Sequence, residues 1–462
     1  MEQERVNPKC IYYDYKGNFP PVVLVSEGPA SIPSQSSRNH PKRITDTTLR
    51  DGAQDPRFAL FPHQTKLRYY DLLHKLDNGT GCIENVEVFI YQKRDQWVLE
   101  KLLERGYEFP QVSTWTRATP KDIKLLLELS QGQVKETGML APASDHHIFD
   151  KLKHPSKQTA IEKYLVPIMT AFENGIRPRV HLEDATKADI LGWVIPFINR
   201  VMKETGGQVR FRVCDTVGWG VPDPCADLPT GIPKLISILY GETGAELEFH
   251  GHNDFGLATA NSIAAWTYGC KRVNTAFTGM GERTGNTPLE QMVAAMVRLY
   301  GNAGLDLCVL AEIAELINGE VCPIFSKAPL VGEDIFTTQA GLHQTGVQRQ
   351  LQAPGGLIYL PYSSSLVGRE QVELHRVGGL AGMDGLVAIL NQHLEAVGEQ
   401  KLHTALSRTV KLVYDKVHSA YDGTWDEEGG EYVNPRTTFF EPQELLEMVR
   451  ELENRSLNEK DL

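Results

Sequence analysis

The chain reads as an α/β protein, a (β/α)8 TIM barrel followed by a mainly α domain, and three observations lead there. Short β-branched runs alternate with longer amphipathic stretches from Arg43 onward, the alternation recurs eight times, and polar groups gather where the runs end. Alternation with short loops implies a parallel sheet, and eight units close it into a barrel. The 462 residues accommodate a barrel of roughly 250 residues with appendages at both ends.

Residues 1–42 carry Pro8, Pro20, Pro21, Pro29, Pro33 and Pro41 around a β-like run, Val22–Val25. Proline fixes φ and removes a donor, so this is an N-terminal arm holding edge strands at most. The barrel is assigned to 43–320. Its predicted strands are Arg43–Thr47, Asn85–Ile90, Gln111–Thr114, Val134–Leu140, Arg177–Leu182, Val209–Cys214, Leu247–Phe249 and Lys271–Asn274. Helical periodicity marks Gln64–Leu76, Asp122–Leu129, Lys157–Asn174, Ala188–Lys203 and Gly256–Tyr268. A doubly wound open sheet is the alternative, but Gly279-Met280-Gly281 comes late and lacks the acidic residue of a dinucleotide fingerprint. Beyond Tyr300 the character shifts. Residues 304–330 look helical, Gly332–Gly346 and Gly355–Gly368 are rich in glycine, serine and tyrosine, and a helical part runs from Met383 to the charged tail. The second domain is therefore 321–462.

Composition narrows the function. Hydrophobic residues make up 41% and charged residues 23%, as in a soluble globular protein, and the net charge of -12 with no dense Lys/Arg block argues against nucleic-acid binding. No run approaches the roughly 18 apolar residues of a membrane span. Glu2, Glu4 and Arg5 stand where a signal peptide needs an apolar core, so a cytoplasmic location is expected. The seven cysteines show no Cys-x-x-Cys spacing, which leaves free thiols as the expectation.

Side chains alternate along a strand, so His250 and His252 point to one side and can chelate one ion. An ordinary pair of surface or core histidines is the alternative, and the other strand ends decide between them. Barrel active sites sit at the C-terminal ends of the strands. There stand Asp46 to Gly52, Glu84 and Glu87, Arg179 to Asp184, Asp215 to Gly218, and Gly279 to Asn286. Asp51 with the two imidazoles, completed by Asn286, water and substrate, is an open oxygen–nitrogen set suited to Mn, Mg or Co, with zinc as a further candidate. Such an ion grips a 2-oxo acid by its ketone and carboxylate oxygens. Arg50 is placed to stabilise developing negative charge, its alternative being an ion pair with Asp51 or Asp215.

Asp46-Thr47-Thr48-Leu49-Arg50-Asp51-Gly52-Ala53-Gln54, His250-Gly251-His252-Asn253-Asp254-Phe255-Gly256 and Gly281-Glu282-Arg283-Thr284-Gly285-Asn286 resemble the three signatures of the DRE-TIM metallolyase superfamily. The match is to its Claisen-condensing group of isopropylmalate, homocitrate and Re-citrate synthases. Phe336 to His343 and Tyr359 to Gly368 resemble that group's lid, which reaches the partner subunit's active site. The resemblance implies a homodimer with exchanged lids in which acetyl-CoA is deprotonated, its enolate attacks a metal-bound 2-oxo acid, and the thioester is hydrolysed. By motif, Asp51, His250, His252 and Asn286 fall on metal ligands and Arg50 on the catalytic arginine. Glu183 assists proton transfer, Thr216 helps hold the substrate carboxylate, and His343 and Tyr359 are the lid pair, with Tyr362 an alternative to Tyr359. Glu87 joins the substrate-binding set.

Arg179 faces the same way as His181 and Glu183, and a cation there fits a second substrate carboxylate. His181 stands where homocitrate synthases commonly have small hydroxyl residues, which narrows the pocket in favour of a shorter diacid. The family's Glu-Asp-x-x-Arg motif ends here in Lys187. Ending at Leu462, the chain is expected to lack the allosteric domain of isopropylmalate synthases. The arm and the lid resemble the Re-citrate branch, whose substrate is oxaloacetate. Homocitrate formation from 2-oxoglutarate is the runner-up, ahead of an isopropylmalate or citramalate type, a lyase, and a non-catalytic metal-dependent regulator.

Overall fold

Eight parallel strands pair in chain order and β8 returns to β1, closing the barrel. In this computed structural model the described residues are Phe19, 41–301, 304–352, 358–398, Thr404 and 407–458, so the Val22–Val25 run and nearly all of the arm lie outside them. The strands are β1 (Arg43–Asp46), β2 (Ile83–Val88), β3 (Gln111–Thr116), β4 (Glu136–Leu140), β5 (Arg177–Leu182), β6 (Arg210–Asp215), β7 (Glu246–Gly251) and β8 (Arg272–Thr275). Each lies within about two residues of its predicted place.

The helices between them are α1 (His63–Asp77), α2 (Lys93–Leu103), α3 (Pro120–Ser130), α4 (Lys157–Glu173), α5 (Ile195–Glu204), α6 (Ile232–Thr243), α7 (Ala258–Tyr268) and α8 (Leu289–Tyr300). Local chemistry sets their starts. Thr119 caps α3 by accepting from the Asp122 amide, with Pro120 at the first helical position, and Ser156 caps α4 through the Thr159 amide. The predicted helix at Ala188 instead begins with a widened turn, Ile190–Val194, before α5. Sequence periodicity misses α2, α6 and α8.

The barrel unit ends at Gly332 rather than at 320. After α9 (Val309–Glu320), which packs on α1, the chain stays with the barrel because Cys322 Sγ lies 4.0 Å from Met280 Sδ and the next turn closes on itself, Gly332 N donating to Ala328 O at 2.8 Å. The second unit comprises α10 (Gly341–Gln352), α11 (Met383–Ala396), α12 (Arg408–Asp422) and α13 (Pro442–Asn458). Leu386, Leu390, Val410, Val413, Leu445 and Val449 form its core. Alongside the helices of this mainly α unit stands one hairpin, β9 (Thr424–Asp426) with β10 (Glu431–Val433), closed by Gly430 N to Asp426 O at 2.8 Å.

The barrel interior is charged. Toward the N-terminal ends of the strands, Arg210 and Arg272 share Glu84 and Glu246. One step up, Arg212 makes a forked pair with Glu248 at 3.0 Å and reaches Glu87 at 3.2 Å, while Arg179 pairs with Glu136 at 2.7 Å. Each guanidinium meets at least two carboxylates, the condition under which ions survive burial. Removing one partner strands the other: Glu248→Leu is expected to cost about 3–5 kcal/mol of unfolding free energy in urea titrations. A loss below about 1 kcal/mol would show that these pairs do not hold the barrel.

Candidate active site and metal centre

The end of β7 builds the centre. The Asn274 side-chain amide donates to Thr45 Oγ1 at 2.9 Å, so its oxygen faces His250 Nδ1 at 2.8 Å and accepts a hydrogen bond from the Nδ1–H. His250 Nε2 is therefore a bare lone pair. It lies 3.2 Å from His252 Nε2 and 3.7 Å from Asp51 Oδ2, and one donor atom from each of the three residues falls within 4.8 Å of the others. Asp51 Oδ2 and Asn286 Oδ1 are buried with no hydrogen-bond partner among the described residues. Buried acceptors left unpaired are costly, and a divalent cation among them removes that cost. The residues present thus fit a metal ion, and burial keeps the imidazoles available to it by pushing His250 down to about 3 and lowering His252.

Asn286 is seated by a glycine-rich loop. Its amide donates to Met280 O at 2.8 Å, which leaves Oδ1 as the free acceptor of the side chain. Gly281 and Gly285 have φ of 152° and 87°, and a Cβ on either would collide with the Asn286 amide or the Gly279 carbonyl. The turn after β1 positions the other two groups. Asp46 accepts from Thr48 Oγ1 at 2.7 Å and Tyr69 OH at 3.0 Å, burial pushing its carboxyl up to about 7. The Thr47 carbonyl then accepts from the amides of Arg50, Asp51 and Gly52 at 2.8–3.1 Å. Arg50 ends with Nε on Glu87 and Nη1 3.3 Å from Asp51. Burial alone would raise Asp51, yet Arg50 and the imidazoles bring it below the usual carboxylate range. Asp215 does not meet Arg50; it accepts from Thr186 at 2.8 Å and the Gly220 amide at 2.9 Å.

At the ends of β5 and β6, Glu183 receives His147 Nδ1 at 3.2 Å and Lys151 Nζ at 3.1 Å, and Thr216 Oγ1 accepts the Asp184 amide at 2.8 Å. Lys187 pairs with Asp184 at 3.0 Å and lies 4.7 Å from the Trp219 ring centre. Arg179 is wholly buried, with Nη1 on Glu136, Nη2 on Glu87 and Nε on His181, so its charge is balanced inside the barrel. His147, Lys151 and Asn274 escape sequence reasoning. The first two follow β4, a strand end without residues singled out, although His147 and Lys151 at a four-residue spacing carried the signal.

In the second unit, α10 carries His343 and the chain returns so that Tyr359 stacks on it, ring centres 4.2 Å apart at 23°. Gln350 Oε1 fixes the return by accepting from the amides of Ile358, Tyr359 and Leu360 at 2.7–3.1 Å, and Gly346 leaves the space for the Tyr359 ring. Tyr362 instead packs edge-on against Phe19 at 5.0 Å and Phe336 at 5.4 Å.

Two substitutions test the centre. Asp51→Asn is expected to abolish stoichiometric Mn binding in calorimetric titrations. Asn274→Leu, which frees the His250 tautomer without removing a ligand, should weaken binding about 10- to 100-fold. Unchanged affinity in both would place the metal elsewhere.

The HMGL-like family matches residues 42–317, a span that contains Arg50, Asp51, His250, His252 and Asn286. Citrate (Re)-synthase of Clostridium kluyveri is 39% identical over 392 residues, covering 82% of this chain and 83% of that protein. The citrate (Re)-synthase of Syntrophus aciditrophicus is 36% identical over 386 residues, 81% of this chain and 59% of that one. The 2-phosphinomethylmalate synthase of Streptomyces hygroscopicus is 35% identical over 77% of this chain and 80% of its own length. Among solved structures, hydroxymethylglutaryl-CoA lyase from Pseudomonas aeruginosa is 19% identical with a TM-score of 0.49, covering 63% of this chain and 94% of that one. With its barrel matched throughout and its metal triad in place, the chain belongs to the HMGL-like family of DRE-TIM barrels, among the relatives of citrate (Re)-synthase.

Proposed function

We propose that this protein joins acetyl-CoA to oxaloacetate and releases citrate and CoA, an acyl transfer in which the acyl group becomes an alkyl group. The observation that carries the reading is the Asp51, His250 and His252 cluster with Arg50 beside it, in a chain 39% identical to a citrate (Re)-synthase. A divalent ion held by Asp51, His250, His252 and Asn286, Mn first with Mg, Co or Zn as alternatives, supplies the Lewis acid that polarises the ketone and orients the oxo acid.

The chain's own groups do the rest. His343, stacked on Tyr359, removes a methyl proton from acetyl-CoA, a task suited to an imidazole acting as general base. Arg50, held rigid by Glu87, stabilises the enolate oxygen. The methyl carbon then bonds to the ketone carbon, and water cleaves the thioester to give citrate and CoA. Glu183, between His147 and Lys151, relays protons, and the Thr216 hydroxyl holds the substrate carboxylate. In this reading the protein is a cytoplasmic homodimer in which each lid, with His343 and Tyr359, serves the partner's barrel. Among the described residues no helix is long and apolar enough to cross a membrane.

Free CoA, followed with a thiol reagent, should appear with oxaloacetate and Mn and far more slowly with 2-oxoglutarate, pyruvate or 2-oxoisovalerate. Release with one of those acids but none with oxaloacetate would reassign the substrate. His343→Ala is expected to lower turnover about 10²- to 10⁴-fold with metal content unchanged. Mixing Asp51→Asn with His343→Ala subunits should restore roughly a quarter of wild-type activity if lids are exchanged between subunits. No recovery would confine each lid to its own barrel.

A further inference from the structure

Asp51 and Asn286 stand on two different loops, and one buried carboxylate joins those loops. Asp55 follows the tight 3-10 turn Gly52–Gln54 that begins at Asp51, and its amide donates back to Gly52 O at 3.2 Å. Arg57 occupies most of its side chain. Oδ1 accepts from the Arg57 amide and from Nε, both at 2.9 Å, and Oδ2 accepts from Nη2 at 2.8 Å. Burial would raise this carboxyl, but Arg57 brings it below the usual carboxylate range. Oδ2 has a further lone pair, and the Gly281 amide, on the loop after β8, donates to it at 3.2 Å. Asp55 is 5% exposed, so water hardly competes for that contact.

The contact matters because of what the same peptide does on its other side. In a trans peptide the N–H and C=O lie in one plane and point in opposite directions. The Gly281 N–H and the Met280 C=O belong to one such unit. While the first donates to Asp55, the second accepts from Asn286 Nδ2 at 2.8 Å. Gly281, with φ of 152°, has no Cβ because one would collide with the Asn286 amide. Glycine leaves the plane of its peptide with little preference of its own, so an outside partner has to set it. Turned over, that plane would present its N–H to Asn286 Nδ2, donor against donor, and the side-chain amide would rotate end for end. An antiparallel bridge sets Asn286 beside His252, so the free end of its amide decides whether the loop offers a lone pair or two hydrogens there.

We propose that Asp55 is a positioning residue of the metal centre: by gripping the Gly281 amide it holds the Met280 carbonyl on Asn286 Nδ2 and so keeps Asn286 Oδ1 free for the ion. The turn that follows Asp51 thereby sets the ligand contributed by the loop after β8. Asp55 acts only through the peptide between them, and Arg57 leaves it a single lone pair for that purpose. The inference rests on the metal centre described above.

The test titrates Mn into full-length protein, reading the free ion by electron paramagnetic resonance and the waters on the bound ion by solvent proton relaxation. Asp55→Ala should weaken Mn binding about 10-fold and add one exchangeable water to the bound ion, in the place Asn286 vacates. Asn286→Ala should show the same two changes. Combining it with Asp55→Ala should cost nothing further, since no amide is left to set, whereas a merely structural Asp55 would add its own loss. Asp55→Ser, too short to span the contact, replaces Asp55→Ala should that variant not fold. In the metal-free protein, hydrogen exchange across 279–286, followed by mass spectrometry, should be faster in Asp55→Ala. Unaltered Mn affinity in Asp55→Ala, or additive losses in the double variant, would overturn the inference with the metal centre standing. Absent Mn binding by the wild type would overturn the centre itself, and the inference with it.

Discussion

One carboxylate, that of Glu87, ties the site to the barrel. It is fully buried and meets Arg50, Arg179 and Arg212, with the Thr47 hydroxyl donating to it at 3.0 Å. Burial would raise its pKa, but Arg212, Arg50 and Arg179 hold it well below the carboxylate range. Glu87 therefore keeps its charge, and that charge fixes three guanidinium groups drawn from the turn after β1 and from the middle of β5 and β6. Arg50 stands at the metal cluster, Arg179 behind His181, and Arg212 in the ladder below. An apolar side chain in place of Glu87 would leave three buried cations short of a partner, so the interior of this barrel cannot be repacked one residue at a time.

The same logic governs the metal cluster. The donor atoms that could hold an ion are set by their neighbours: Asn274 orients His250, Met280 and a pair of glycines orient Asn286, and the Asp46 turn presents Asp51. Preorganisation of this kind places lone pairs together before a cation arrives, and leaves Asp51 Oδ2 and Asn286 Oδ1 unsatisfied until one does.

Much of this was legible in the sequence, and the reasons differ by element. The strands were readable because β-branched runs alternate with turn residues, and His250 and His252 because period two needs nothing else to set them side by side. Asp51 and Asn286 came from the rule that barrel sites gather at the C-terminal ends of the strands, and the motif resemblance gave them the same place. The ion pairs of Arg179 were not legible, for a physical reason. Strand alternation gives the direction of a side chain but not its depth in the barrel, and Glu136 and Glu248, which neutralise Arg179, lie on strands 43 and 69 positions away. Asn274 was invisible for the converse reason: it acts only through a neighbour on an adjacent strand. The boundary at Gly332 depended on a sulfur contact between Cys322 and Met280 that composition does not encode.

The central claim is that strand ends β1, β7 and β8 assemble one open metal site. Anomalous diffraction from crystals soaked in Mn tests it most directly. The result expected is a single strong peak within bonding distance of Asp51, His250 and His252, with Asn286 Oδ1 facing it. A peak at some other cluster, or none at saturating Mn, would contradict it.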